Sequence, residues 1–274
     1  MLLSRSLERR AWSRIGERFA PVTTPTTLVE TIDILGVGFA RMTPDAALDL
    51  TETLYERAEA AWIAVENVHA VNLAWSDPSH RDVLNRADLV LNDGKGVLLA
   101  ARLLGERFPA DLNGNVFTPM VLRLAAERGW PVFFLGAAPG VADRARTTLM
   151  RELPGLKVVG TQDGYFAPTD LGRVIDEIHE SGARLLVVGM GMPQQERWLH
   201  DHLESTGVSL GVTAGAFFDF EVGEVARAPA WMNKIGLEWL FRLIVEPRRL
   251  WRRYLVGNPI FIYRVIRQRF SHRR

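Results

Sequence analysis

Residues 132–153, VFFLGAAPGVADRARTTLMREL, decide the fold class. A short apolar run at 132–135 reads as a buried strand, the joint Gly136-Ala137-Ala138-Pro139-Gly140 breaks it, and 140–153 reads as a helix. The same unit recurs in both directions along the chain. Further candidate strands lie at 31–35, 62–66, 89–91, 157–161, 185–188 and 209–212. Between them 44–58, 94–104, 118–128, 170–181 and 194–205 are helix-like. This alternation predicts an α/β fold with a mostly parallel sheet flanked by helices on both faces. Ligands bind such sheets beyond the carboxyl ends of the strands, so the loops there are where chemistry is to be sought.

Composition narrows the mechanisms. The chain has no cysteine, which excludes a disulfide framework, a thiolate nucleophile and a thiolate zinc site. No apolar run approaches the ~18 residues of a membrane span. Arginines scattered through the first 19 residues exclude a signal-peptide core and leave a short basic amphipathic helix. Pro21 and Pro25 then read as a linker. The expected organisation is a basic N-terminal helix and linker over 1–27, a catalytic body over 28–230 and a basic helical tail over 231–274. The expected location is the cytoplasm, with any membrane contact peripheral.

Charge is divided unevenly. From Met232 onward the chain has eleven Lys/Arg and two acids, a net +9 in a protein whose total is +1, so the first 231 residues sum to −8. Trp239, Phe241, Trp251, Tyr254, Phe261, Tyr263 and Phe270 are interleaved with those cations. Cationic heads among aromatic anchors suit a bilayer face. Nucleic acid is the second candidate, because such side chains also neutralise phosphates and stack on bases; a solvated helical cap is the third. Helical breaks are expected at Pro247 and at Asn258-Pro259. On one continuous helix Arg242, Arg249, Arg252 and Arg253 would share a face, and beyond Pro259 the apolar set Phe261, Ile262 and Val265 would lie in an interface.

Four loops carry residues able to do chemistry. Asn92-Asp93-Gly94 follows a strand and precedes a helix, which suits Asp93 to act as a general base; helix capping by Asn92 or Asp93 is the competing reading. The Gly136 loop offers amides to a diphosphate but lacks the third glycine of a dinucleotide fingerprint, so a nicotinamide-dependent oxidoreductase is a rival without full support. Gly189-Met190-Gly191-Met192-Pro193-Gln194-Gln195-Glu196 presents two amides and an acid, which suit sugar hydroxyls or serve as helix caps. Asp219 and Glu221 resemble an Asp-x-Asp metal pair if their segment is extended.

These residues form a familiar ordered set. Asn67, Asp93-Gly94, Gly136, Pro193-Gln194-Gln195-Glu196, Phe218-Asp219, Arg227-Ala228-Pro229, Gly236-Leu237-Glu238-Trp239, Glu246-Pro247-Arg248-Arg249 and Tyr254 resemble the WecG/TagA/CpsF family of bacterial glycosyltransferases. The resemblance runs from about residue 33 to 254, and it implies a Rossmann-like, inverting transferase. Such an enzyme moves a sugar from a UDP-sugar to an undecaprenyl-diphosphate-linked saccharide at the cytoplasmic face of the membrane, in surface-polysaccharide assembly. It implies neither a required metal nor nucleic-acid binding. Asp93 falls on the family's base, Asn67 and Gln195 on its active-site amides. Gly136, Tyr165, Gly191 and Asp219 fall at the nucleotide-sugar, and Arg242, Arg249 and Arg252 at the lipid diphosphate. The chain departs from the pattern at Val65, where a hydroxyl is common, and at Asp111-Leu112-Asn113-Gly114-Asn115, where the family has Arg-x-x-Gly-x-Asp. Donor sugar, acceptor saccharide and oligomeric state stay open. A non-catalytic basic-tail binding module is the remaining rival.

Overall fold

The computed structural model describes residues 29–226, 228–229, 231–232 and 236–271. The N-terminal helix and linker expected over 1–27 lie outside these residues, as does Arg227. The described residues open with strands β1 (Thr31–Ile34) and β2 (Val37–Ala40), then helix α1 (Pro44–Tyr55). Next come β3 (Ala61–Glu66), α2 (Val68–Ser76), α3 (Pro78–Asn85), β4 (Leu89–Asn92), α4 (Lys95–Leu104) and α5 (Gly114–Arg128). They are followed by β5 (Pro131–Gly136), α6 (Val141–Glu152), β6 (Lys157–Gln162), α7 (Leu171–Glu180), β7 (Leu185–Gly189), α8 (Gln194–Thr206) and β8 (Leu210–Thr213). The C-terminal part holds α9 (Phe217–Glu221), α10 (Glu238–Val245), α11 (Pro247–Trp251) and α12 (Gly257–Ser271).

Six strands form one parallel sheet in the order β4-β3-β8-β7-β5-β6. Alternate residues of β3, β4, β5 and β7 feed two cores, as the two-residue period of a strand requires. Ile63, Val65, Phe134, Val187 and Val212 pack with α1, α5, α6 and α9. Trp62, Ala64, Phe133, Leu186 and Val188 pack with α2, α3, α4, α7 and α8. The result is a three-layer α/β fold with helices on both faces, as the alternation in the sequence predicts. Burial on both faces explains why these strands read as unbroken apolar runs.

Three expectations are corrected. The strand expected at 31–35 is outside the parallel sheet: it pairs antiparallel with β2 across a turn in which Leu35 has φ 57° and Gly36 φ 88°. A primed two-residue turn normally shows glycine or asparagine first, so a leucine there hides the hairpin. The stretch between β3 and β4, left without elements, holds α2 and α3, capped by Asn67 and by Asp77 with Pro78 behind it. The break expected at Asn258-Pro259 is absent. A π-helical turn at Arg252–Val256 runs straight into α12, with Pro259 in its first turn. A proline donates no amide hydrogen bond and crowds the preceding turn, and the wider π turn relieves both. The break at Pro247 does occur, with Glu246 at φ −126°, ψ 60°.

The tail packs against the body. Phe261 and Val265 are buried in the core beside α4 and the hairpin, so the apolar face of α12 is turned into the protein and not into an interface. Gln268 accepts from the Leu35 amide at 3.0 Å and donates to the Asp33 carboxylate at 2.6 Å, and Arg269 donates to the Leu103 carbonyl at 2.8 Å. Truncating a buried phenylalanine leaves a cavity as well as losing transfer energy. Phe261→Ala is therefore expected to lower unfolding stability by about 3–5 kcal/mol, read from urea denaturation; a loss within about 0.5 kcal/mol, the range of a surface change, would show that α12 lies outside the cooperative core.

Candidate active site

The site follows from how the middle of the sheet ends. β3 and β8 pair from Ala61↔Leu210 to Ile63↔Val212. There the ladder stops, and the Val65 amide donates instead to the Thr213 hydroxyl at 2.8 Å. Beyond this point the strand ends separate, and a cleft of about 730 Å³ opens over the carboxyl ends of the sheet. Asn67 and Asp93 lie on its floor.

Asp93 is held from several sides. Its amide donates to the Glu66 carbonyl at 2.8 Å, and Asn67 Nδ2 donates to its Oδ2 at 3.1 Å. Asn67 also caps α2, its Oδ1 accepting from the His69 amide at 2.9 Å, so one side chain orients both the helix and the carboxylate. Gly94 turns the chain at φ 86°, and its amide donates to Asp111 Oδ1 at 3.0 Å. Lys95 pairs with the other Asp111 oxygen at 3.2 Å. The departing segment 111–115 thus braces the Asp-Gly loop through Asp111 and places Asn115 in the cleft wall. Burial pushes the Asp93 carboxyl above the usual aspartate range, opposed by the hydrogen bond from Asn67.

The other predicted residues fall at different depths. Tyr165, Gly191 and Asp219 line the cleft. Gly136 lies just behind it, where a side chain would meet the Gly189 carbonyl at 2.3 Å, so glycine is required for the strands to approach. The neighbouring Ala137 and Ala138 form the wall. Gln195 is fully buried under the floor, its Oε1 accepting from the Gly215 amide at 3.1 Å while Gln194 faces the cleft. Asp219 and Glu221 sit on helix α9, about 200° apart in projection, so the extended metal pair does not form. Among the described residues no three His, Asp or Glu side chains cluster as a metal site.

The tail forms the opposite wall. Arg242 and Arg249 line the cleft from α10 and α11 despite the break between those helices. Arg252 instead projects into a neighbouring cavity of about 550 Å³, near the ring of Trp251. Arg253, which the resemblance did not single out, lines both cavities. Arg249 pairs with Glu246, whereas no ion pair among the described residues engages Arg253 or Arg242. The Arg242 Nε is buried without a partner. Burial lowers the Arg253 pKa. The doubled arginine at 252–253 was the available signal, but helical register alone does not say which of two neighbours turns inward.

Comparison with known proteins identifies the family. The model of the glycosyl transferase WecG/TagA/CpsF family matches residues 32–274. The chain belongs to that family. It is similar to two proteins named N-acetylglucosaminyldiphosphoundecaprenol N-acetyl-beta-D-mannosaminyltransferase. One, from Bacillus spizizenii, is 32% identical over 218 residues, covering 80% of this chain and 83% of the relative. The other, from Bacillus subtilis, is 30% identical over 230 residues, covering 83% and 88%. The chain is thus a glycosyltransferase.

Because the Asn67 amide favours the ionised carboxylate, Asn67→Ala is expected to move the Asp93 pKa further upward. Carbon-13 NMR titration of the aspartate carboxyls reads this directly; an unchanged or lower value would show that the contact does not govern the ionisation.

Proposed function

We propose that this glycosyltransferase moves a sugar from a UDP-sugar to an undecaprenyl-diphosphate-linked saccharide, with inversion, at the cytoplasmic face of the bacterial membrane. The observation that carries the proposal is Asp93, a carboxylate oriented by Asn67 at the floor of a cleft whose opposite wall bears Arg242, Arg249 and Arg253. The names of the two Bacillus relatives specify such a lipid-linked acceptor.

In this reading Asp93 takes the proton of the acceptor hydroxyl as that oxygen attacks the anomeric carbon, and UDP departs on the opposite side. The elevated pKa suits the role, since a base is most effective near working pH; activity then falls as pH drops through that raised value. The wall near Gly136, Tyr165, Gly191 and Asp219 would hold the nucleotide-sugar. Gln195 would act from below by holding the Gly215 amide. The arginines would offset charge on the leaving diphosphate or on the lipid diphosphate, with Arg252 reaching the latter from the adjoining cavity. No metal is assigned a role, so added chelator should leave turnover unchanged.

Membrane contact is supported by the outer surface of the tail. Among the described residues no helix is long and apolar enough to cross a membrane. Ile244, Trp251, Leu255, Tyr263 and Phe270 are nevertheless exposed on the tail, as are Arg248 and Arg267. Apolar anchors with cationic neighbours suit an anionic bilayer surface. The pair Leu255→Ser and Tyr263→Ser is expected to weaken co-sedimentation with anionic liposomes while leaving unfolding stability within about 0.5 kcal/mol, because both side chains are exposed. Undiminished sedimentation would remove this surface from the membrane reading.

The reaction is tested by UDP release from a panel of UDP-sugars, with liposomes carrying a polyprenyl-diphosphate saccharide. Asp93→Asn should reduce turnover by about 10²–10⁴-fold, the range lost with a positioned general base, with its melting curve retained. Equal turnover by wild type and variant would exclude Asp93 as the base. Silence of folded, liposome-bound wild type across the panel would overturn the donor or acceptor class.

A further inference from the structure

Beneath the cleft floor lies an acid pair that the transfer chemistry does not use. Glu66 is the last residue of β3, and its side chain shares the face of Trp62 and Ala64, toward the α8 layer. Glu196 is in the first turn of α8. Both residues are fully buried, and the two carboxyl groups face each other. No N–H or O–H group donates a well-formed hydrogen bond to any of their four oxygens. The Gln195 side-chain amide and the Glu196 backbone amide lie near enough to favour an ionised Glu196 without completing a hydrogen bond to it.

Two buried carboxylates without donors are not tolerated together, whereas a carboxyl donating to a carboxylate satisfies both. We propose that Glu66 and Glu196 share one proton, and that this proton positions the catalytic floor: Glu66 through β3 and Asp93, Glu196 through the Gln195–Gly215 contact. The inference rests on the transferase reading of Asp93. The link to Asp93 is short, since the Glu66 carbonyl accepts the Asp93 amide at 2.8 Å. The other charged groups around the pair are Asp93 from the β4 loop, Arg253 from the π turn and Arg197 on α8; His80 of α3 faces Arg197, and His69 of α2 faces Arg253.

Burial raises the pKa of both carboxyls, Glu196 to about 7 and Glu66 in the same direction through burial and the neighbouring Glu196 charge. The folded protein therefore binds more protons than the unfolded chain above the free-carboxyl range, and its stability falls as pH rises through the pair's titration. Loss of the shared proton to solvent leaves two like charges under the floor. The Gln195 and Asp93 supports then separate, and turnover declines on the alkaline side.

Glu66→Gln tests this, because its amide donates to Glu196 as the protonated carboxyl does but does not ionise. Melting temperature and kcat/KM are measured from acidic to alkaline pH for both proteins. The stability advantage of the variant over wild type should widen as pH rises. At alkaline pH the variant should keep at least about threefold more of its neutral kcat/KM than wild type does, following the removed ionisation. Superimposed melting profiles would overturn the shared proton, and separated melting profiles with superimposed kcat/KM profiles would overturn its link to catalysis. Should Glu66→Gln not fold, Glu196→Gln offers the mirror donor; failure of both would also overturn the shared proton. If wild type shows no turnover, the transferase reading fails and the link to catalysis falls with it, while the melting profiles still decide the shared proton.

Discussion

The parallel pairing of β3 with β8 is the constraint on which the site depends. Three residue pairs from Ala61↔Leu210 to Ile63↔Val212 hold the two halves of the sheet together, and the Thr213 hydroxyl ends that ladder by taking the Val65 amide. With the amide satisfied, the strands can diverge without leaving a buried donor orphaned. The candidate residues stand on the edges of the gap: Asn67 just after β3, Asp93 after β4, the Gly189–Gly191 loop after β7 and the Gly215 turn after β8. Glycines permit the close approach of these loops, most clearly at Gly136 against the Gly189 carbonyl.

The charge separation along the chain has its meaning at this gap. The body supplies acids in poorly solvated positions, Asp93 on the floor and Glu66 with Glu196 below it, and desolvation raises the pKa of each. The tail supplies the compensating cations from the far wall, two of them without an acid partner among the described residues. In the proposed reading, an anionic substrate entering between the walls would meet guanidinium groups without an acid partner among the described residues, in a setting where electrostatic interactions are stronger than in water. Packing of Phe261 and Val265 fixes the tail to the body, so the same segment turns one surface to the cleft and another, apolar and basic, outward.

Much of the fold was legible in the sequence because strands buried on both faces must be continuous apolar runs, and because glycine joints mark where such strands end. Asp93, Tyr165, Gly191 and Asp219 follow successive strands and lie around one cleft, whose other wall is lined by Arg242 and Arg249, the tail residues that the resemblance singled out. The failures have local causes. A leucine in the left-handed region concealed the β1–β2 turn, and a π turn absorbed Pro259. The short helix α9 took the place of the extended segment that an Asp219–Glu221 metal pair needs.

Sequence alone determined the α/β class, the loops that line the cleft, the family and the basic composition of the tail, since these depend on periodicity, residue type and ordered motifs. Tertiary structure alone decided which neighbours face inward: Arg253 into both cavities with Arg252 turned aside, Gln194 at the wall with Gln195 beneath, and Glu66 against Glu196 across 130 residues of chain. Side-chain direction within a turn of helix depends on the register that packing imposes. The two distant carboxyls are buried together only once α8 is packed onto the face of β3 that carries Glu66.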